Sequence, residues 1–388
     1  MPKVLRIINR FNIGGPTYNA TFLTRFLDDE FETLLVGGLP EPDERDSLHI
    51  LEKYDVKPLL IPEMKRLPNW KSDKAAYKRI KEIIEEFQPD IVHTHAAKAG
   101  ALGRRAAKAA GVKVIVHTFH GHVFHSYFGS LKTKLYQFIE RRLAKYSTGI
   151  IAISDLQKKE LSETYRICSA DKIKVIQLGF DLEPFQQKRI SERQRIREKY
   201  QLQEDEVAVA IIGRLAPIKN HTLFLDVVEI LATQGIKARY FIVGDGNERE
   251  SIEARVTELC ENQNLTIEMT SWITDIAEFN SGMDIICLTS NNEGTPVSLI
   301  EAQACSIPII STDVGGVRDI VLDNETGYVV EKNNAPKFAE KLGILISQKE
   351  IREKMSQNGW IHVRDKFHYN RLTSDMKNYY LSLLNKQR

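Results

Sequence analysis

Two carboxylates eight positions apart dominate the stretch Asn291-Asn292-Glu293-Gly294-Thr295-Pro296-Val297-Ser298-Leu299-Ile300-Glu301. The run before it, Asp284-Ile285-Ile286-Cys287-Leu288, reads as a buried strand, and Pro296 suits the first position of a helix, where its missing N–H costs nothing. A strand, a polar loop and a helix start bring unpaired N–H groups and the positive end of the helix dipole to one place. That is a natural seat for an anion such as phosphate. A carboxylate is poorly placed beside a phosphate, so Glu293 is read as accepting hydrogen bonds from sugar hydroxyls. Glu301, about two helical turns deeper, could reach a second polyol such as a ribose. Gly294, Thr295 and Pro296 are the backbone that would meet the ligand. On this stretch alone, a solvated loop charge and a helix carboxylate paired with a base remain the plain alternative.

The cations such a ligand needs follow another strand. After the apolar residues 207–212 comes Gly213-Arg214-Leu215-Ala216-Pro217-Ile218-Lys219, which places Arg214 and Lys219 at a strand end with a glycine giving room. A helix dipole contributes about 0.3 to 1 kcal/mol, whereas a charge-assisted hydrogen bond contributes about 1.5 to 3. Arg214 and Lys219 are therefore expected to carry most of the stabilisation of a diphosphate. An arginine and a lysine exposed on the surface with no ligand are the competing reading.

Glu293 and Glu301, with Gly294-Thr295-Pro296 after the first, resemble the paired-glutamate motif of the family 4 retaining glycosyltransferases. Gly213-Arg214 and Lys219 resemble the same family's cation pair. The resemblance covers nearly the whole chain, most strongly from Gly213 to Gly316. It implies an α/β chain of the GT-B fold: two Rossmann-like domains facing an interdomain cleft, the first spanning 1–182 and the second 183–369, with a terminal helix at 370–388 crossing back to the first. It also implies a nucleotide-sugar donor, most often a UDP-sugar, held mainly by the second domain. The acceptor would be a glycan or a lipid-linked sugar of surface polysaccharide synthesis. No cofactor is implied and no metal, because the chain has no Asp-x-Asp pair and Arg214 and Lys219 would do the neutralising.

Further site residues come with the resemblance. In Thr118-Phe119-His120-Gly121-His122, His120 matches the family histidine that contacts the donor sugar, and Gly14-Gly15 matches its first donor loop. Ser271-Trp272-Ile273-Thr274-Asp275 is similar to the segment against the nucleotide base, which backbone groups near Ile273 could meet. Leu178-Gly179-Phe180-Asp181 departs from the usual Asn-Gly-Val-Asp at the hinge. Ser311-Thr312-Asp313-Val314-Gly315-Gly316 looks like the next family loop, to which no chemistry is assigned.

The rest of the chain supplies the frame. Strand-like segments at 4–8, 33–36, 58–61, 90–93, 113–116 and 149–153 alternate with helical stretches such as 74–87 and 97–110. A second series runs through 239–243, 266–269, 284–288 and 308–310. This alternation argues for parallel sheets with ligands at the carboxyl ends of their strands. Six of the ten histidines fall at such ends: His93, His95, His117, His120, His122 and His125. The pairs at 93/95 and 120/122 invite a metal, but no acid or cysteine accompanies them at ligand spacing, and His93 and His95 are read as structural. The four cysteines are scattered and read as structural thiols.

Charge is unevenly spread. Up to Leu182 there are 29 Lys and Arg against 22 Asp and Glu, and beyond it 25 against 30, although the net charge is only +2. Between Thr94 and Lys145 ten cations face one acid, Glu140. The aromatic stretch 123–129 reads as a loop for the acceptor or a membrane. In the helix after it, Leu131, Leu135, Phe138, Ile139 and Leu143 read as a core-facing stripe, with the cations in solvent. No apolar run is long enough to span a bilayer, so a cytoplasmic protein is expected, with peripheral contact to an anionic membrane as an option. The basic stretch lacks a nucleic-acid-binding module. A GT-B sugar phosphorylase or epimerase, and a catalytically silent membrane-associated binding subunit, are the rival readings.

Overall fold

The computed structural model describes residues 1–12, 14–27, 30–41, 47–121, 130–263 and 265–387, with 130–132 described by their backbone alone. The aromatic stretch 123–129, with His122 and His125, lies outside the described residues. The chain divides into two units, one made of Met1–Phe180 with Phe367–Arg388 and the other of Asp181–Lys366. The sequence reading put these borders at 182 and 370.

The first unit is built on seven parallel strands: β1 (Lys3–Arg10), β2 (Glu32–Gly38), β3 (Leu59–Leu60), β4 (Ile91–His95), β5 (Val114–Phe119), β6 (Gly149–Ala152) and β7 (Ile173–Val175), in the order β3-β2-β1-β4-β5-β6-β7. Strands covered on both faces need apolar residues at successive positions, and β1 shows this. Leu5 and Ile7 join Ile80, Ile83 and Ala106 on one face. Val4 packs on the other with Leu372, Met376 and Tyr380 of the terminal helix Tyr369–Asn385. Burying each such side chain is worth about 1.5 to 3 kcal/mol, so the last helix belongs to the first unit's core.

The chain leaves and re-enters this unit through paired backbone. The Phe180 N–H donates to the Phe367 carbonyl at 2.7 Å, and the Tyr369 N–H donates to the Phe180 carbonyl at 3.0 Å. Leu178 and Phe180, the two departures from the family's hinge pattern, are buried. A Cβ on Gly179 would stand 2.6 Å from the Leu372 Cβ, so the crossover is packed tightly against the terminal helix.

The second unit has six parallel strands: β8 (Ala208–Ile212), β9 (Arg239–Val243), β10 (Ile267–Thr270), β11 (Ile285–Leu288), β12 (Ile309–Thr312) and β13 (Gly327–Val330), in the order β10-β9-β8-β11-β12-β13. Val209, Ile211, Tyr240 and Ile285 pack with Phe224, Leu231 and Phe338 from the helices. The strand β13 was not expected from sequence, because four residues at a sheet edge give too short a pattern to read.

Asp284, just before β11, ties the sheet to the charged helices that precede it. It accepts from Arg193 at 2.6 Å, Arg197 at 3.0 Å and the Ala208 N–H at 2.9 Å. Burial alone would raise its pKa, but the Arg193 and Arg197 charges and these hydrogen bonds hold it below the ordinary aspartate range. A depressed carboxyl pKa adds stability above the unfolded-state value that is lost as pH falls through the folded one. Asp284→Asn is therefore expected to cost about 3 to 5 kcal/mol in urea unfolding near neutrality, and less as the medium is acidified below about pH 4.

In both sheets the strand order reverses once, between β1 and β4 and between β8 and β11. At such a point the loops of neighbouring strands part, which leaves a crevice beyond their carboxyl ends. Gly14 and Gly15 follow β1, and Arg214, Lys219 and Glu293 follow β8 and β11, whereas His120 follows β5 and Ile273 follows the edge strand β10.

The helix Ser130–Tyr146 corrects the sequence reading. It buries Glu140, Leu143 and Ala144, while Leu135, Phe138 and Ile139 are exposed. The Glu140 carboxylate accepts from the buried Arg104 at 2.7 Å, and this pair fixes which face turns inward.

Candidate active site

At the second unit's switch point, β8 and β11 are direct neighbours, with Ile211 opposite Cys287. The chain after each strand is tied to the other. The Asn291 N–H donates to the Ile218 carbonyl at 2.7 Å, its side-chain amide to the Pro217 carbonyl at 3.1 Å, and Thr289 Oγ1 to the Asn220 carbonyl at 2.9 Å. Lys219 is thereby held at the end of a short 3₁₀ turn, Pro217–Lys219. Asn220 follows in the left-handed region (φ 49°) and caps the next helix, His221–Thr233.

This lacing brings Lys219 and Glu293 together. Lys219 Nζ donates to Glu293 Oε1 at 2.6 Å, and Ser290 Oγ donates to the same oxygen at 2.6 Å. The Glu293 side chain is only 10% exposed and that of Lys219 25%, so the pair is largely screened from solvent. Glu293 Oε2 has no partner among the described residues and can accept from a ligand hydroxyl. Arg214 differs from Lys219. It is exposed and has neither an ion pair nor a hydrogen bond among the described residues, leaving its five donors available.

Beneath Glu293 lies the loop for which sequence suggested no chemistry. Gly315 has φ +52°, and a Cβ there would stand 1.7 Å from the Glu293 carbonyl oxygen; a Cβ on Gly316 would stand 2.1 Å from that of Gly294. The Gly316 N–H donates to the Glu293 carbonyl at 3.3 Å. Only glycines allow this approach. The Gly-Gly after a strand was the available signal, and its meaning lay in the neighbouring loop.

A Cβ on Gly294 would meet nothing within 4 Å, so the space over it is open to a ligand. Pro296 is one position earlier than expected: it is the N-cap of the helix Val297–Ala304, whose side chain supplies no cap hydrogen bond. Thr295 is half-buried beside it. The Val297 and Ser298 N–H groups have no acceptor among the described residues. Of the eight positions from Glu293 to Glu301 only the last five, from Val297 on, are helical, so Glu301 lies about one turn into the helix and not two turns beyond Glu293. The residue is half-buried, and desolvation pushes its carboxyl pKa up to about 8.

A raised carboxyl pKa means that the folded state holds a proton which the unfolded state has lost. Stability from this group is complete below the unfolded value near 4.3 and declines as pH rises toward about 8. Glu301→Gln should melt increasingly above wild type as pH is taken from about 5 to about 8, a difference that scanning calorimetry at several pH values would read.

Ile273 follows β10 and is half-buried, and its backbone makes no hydrogen bond among the described residues. The segment is anchored on both sides of it. Ser271 Oγ donates to Asp245 Oδ2 at 3.1 Å, and Asp275 caps the helix Ile276–Ser281. The Ile273 amide and carbonyl are thus free for a base edge.

In the first unit, Gly14 is extended and precedes the helix Gly15–Arg25, with Pro16 in its first turn. The Thr17 hydroxyl donates to the Asn12 carbonyl at 2.7 Å. The histidines at the ends of β4 and β5 meet one another and the protein. His93 Nδ1 is 2.6 Å from the Tyr380 hydroxyl and its Nε2 is 2.7 Å from Thr118 Oγ1. His95 Nδ1 is 2.9 Å from His120 Nε2. Burial, with the Arg6 charge and neighbouring imidazoles adding, lowers the pKa of His93 and His95 well below the usual value, and burial brings His120 to about 3. All three rings are neutral at pH 7. His95, read from sequence as structural, is the direct partner of the candidate sugar-contacting histidine.

The family model described as Glycosyltransferase Family 4 matches residues 14–184, and that described as Glycosyl transferases group 1 matches 192–360. The chain is 28% identical over 333 residues to an Escherichia coli protein named UDP-Gal:alpha-D-GlcNAc-diphosphoundecaprenol alpha-1,3-galactosyltransferase, covering 85% of this chain and 84% of that protein. It is 27% identical to the Staphylococcus aureus capsular polysaccharide biosynthesis glycosyltransferase CapM, covering 86% and 87%. Among solved structures, a glycosyltransferase from Rickettsia africae superposes with TM-score 0.82 at 24% identity, covering 99% of this chain and 98% of that one. HepE from Anabaena, solved with UDP, gives 0.81 at 18%, covering 98% and 100%. The chain therefore belongs to the GT-B glycosyltransferases, with the family 4 pattern in its first unit and the group 1 pattern in its second.

Proposed function

We propose that this glycosyltransferase moves a hexose from a UDP-sugar to a glycan or lipid-linked sugar in surface polysaccharide synthesis, with retained anomeric configuration and without a divalent metal. The observation that carries the reading is the Lys219–Glu293 contact at 2.6 Å beside the unpaired Arg214. The Lys219–Glu293 pair beyond the adjacent ends of β8 and β11 supports reading this as the place where a diphosphate and a sugar hydroxyl are held together. The names of the E. coli and S. aureus relatives support the donor and the class of acceptor.

In this reading Arg214 and Lys219 grip the diphosphate, with the Val297 and Ser298 N–H groups assisting. Glu293 Oε2 accepts from a sugar hydroxyl, Glu301 faces the ribose, and Ile273 meets the base. Gly294, Thr295 and Pro296 line the ligand's path. Within the first unit, Gly14, Gly15 and His120 are read as that unit's own ligand-binding residues. The acceptor hydroxyl attacks the anomeric carbon from the face the diphosphate leaves. The new C–O bond forms as the bond to phosphate breaks, its electron pair goes to the departing phosphate oxygen, and that oxygen takes the acceptor's proton. Arg214 and Lys219 stabilise the charge developing there.

The test is incubation with a panel of UDP-sugars and a diphospholipid-linked sugar acceptor, with and without chelator, followed by NMR of the product's anomeric configuration. UDP release accelerated by acceptor, an unaltered anomeric configuration and indifference to chelator are expected. An inverted product or loss of activity with chelator would overturn the mechanism.

A further inference from the structure

The loop that carries Glu293 is pinned along its backbone. Thr289 Oγ1 donates to the Lys219 and Asn220 carbonyls at 3.2 and 2.9 Å. Thr312 Oγ1, at the end of β12, donates to the Ser290 carbonyl at 2.7 Å. The Asn291 N–H donates to the Ile218 carbonyl, and the Gly316 N–H to that of Glu293. What these contacts leave unset is the direction of the Glu293 side chain, which could still turn about its own torsions.

We propose that Ser290 is a positioning residue that aims the Glu293 carboxylate at the donor sugar. The proposal rests on the reading of Glu293 as the acceptor of a sugar hydroxyl and names what sets its orientation. Ser290 is fully buried, its carbonyl is held by Thr312, and its Oγ donates to Glu293 Oε1 at 2.6 Å. Lys219 Nζ donates to the same oxygen at 2.6 Å. Two donors occupy both lone pairs of Oε1, so an incoming hydroxyl meets Oε2. Lys219 cannot hold this orientation alone, because an ammonium on a flexible four-carbon stem is a point charge and this one also serves the diphosphate. A short side chain on fixed backbone has no such competing duty.

The plain alternative is a buried hydroxyl that takes whichever acceptor is near. Its neighbours behave in that way: Thr289, Ser311 and Thr312, buried at the ends of the same two strands, all donate to backbone carbonyls. Ser290 is the one of these four whose proton goes to a carboxylate, a bond roughly twice as strong as a neutral one. That carboxylate belongs to the side chain that meets the substrate in the proposed reaction.

A double-substitution cycle on transfer from a UDP-sugar tests the assignment. Ser290→Ala should lower kcat by about tenfold to a hundredfold, the size of one hydrogen bond to a charged group. KM for the UDP-sugar should change little, since the grips on diphosphate and base are untouched. Ser290→Thr, which keeps the hydroxyl, should recover most of the loss. In a Glu293→Ala background, Ser290→Ala should cost nothing further, because no carboxylate is left to aim. A serine that only supports the fold would lower kcat in both backgrounds alike, and that result, or a wild-type kcat in Ser290→Ala, would overturn the proposal. Calorimetry of each variant establishes that it is folded; if the threonine methyl unseats the protein, the cycle decides without it. Glu293→Ala turning over as fast as wild type would refute the reading of Glu293 itself and the proposal with it, whereas a slow Glu293→Ala with an additive Ser290→Ala would overturn the proposal and leave that reading standing.

Discussion

Arg214→Ala is expected to lower kcat/KM for sugar transfer by about 10² to 10³ while leaving the melting temperature where it was. The rate effect follows from removing a preorganised charge donor from a leaving diphosphate, by analogy with loss of an oxyanion donor. The unchanged stability follows from the structure: Arg214 is exposed and has no partner among the described residues. Lys219→Ala should differ from it in one measurable way. Removing Lys219 takes away the cation from Glu293 Oε1, on a side chain only 10% exposed. A nearly buried carboxylate stripped of its cation destabilises the fold. Both variants should be slow, but only Lys219→Ala should also melt earlier, as paired kinetic and calorimetric measurements would show. Equal melting losses would mean that Arg214 is structural.

The second large effect concerns a residue with no chemistry of its own. Gly315→Ala puts a side chain 1.7 Å from the Glu293 carbonyl oxygen, at a φ of +52°. The backbone conformation costs about 1 to 2 kcal/mol for an L-residue, and the contact cannot exist without moving the loop that carries Glu293. A displacement near 1 Å in a positioned group costs about 10² in rate. The variant should therefore lose both stability and about that factor in kcat, whereas Gly294→Ala, where a Cβ meets no protein atom, should keep wild-type stability. A Gly315→Ala protein as active as wild type would show that the loop does not set the position of Glu293.

These two cases mark what the sequence made legible. Alternating apolar runs disclosed most strands of both sheets, because parallel strands between helix layers bury successive residues and leave a strong pattern. The placement of Arg214, Lys219 and Glu293 beyond strand ends was likewise readable, since it follows from local order along the chain. Pairings between distant residues were not. Lys219 and Glu293 are 74 positions apart, and which loop cation meets which loop acid depends on β8 and β11 being neighbours. Gly315 and Gly316 could be seen as permissive glycines, but the carbonyls they accommodate belong to another loop. Pro296 falls one position outside the helix, and Glu301 lies about one turn into it, because the polar loop that carries Glu293 runs through Pro296.

The helix Ser130–Tyr146 shows a different limit. Its apolar residues fit an inward stripe through Leu135, Phe138 and Ile139 about as well as one through Glu140, Leu143 and Ala144. The buried Arg104–Glu140 pair at 2.7 Å decided between them, and a paired acid on the inner face leaves no trace in hydropathy.

The account depends most on the second unit holding a nucleoside diphosphate sugar with its diphosphate on Arg214 and Lys219 and a sugar hydroxyl on Glu293. A crystal structure of the protein grown with a UDP-sugar reads this directly. Diphosphate oxygens within hydrogen-bond distance of both cations, with a sugar hydroxyl on Glu293 Oε2, are predicted. A donor bound away from these three side chains would contradict the account.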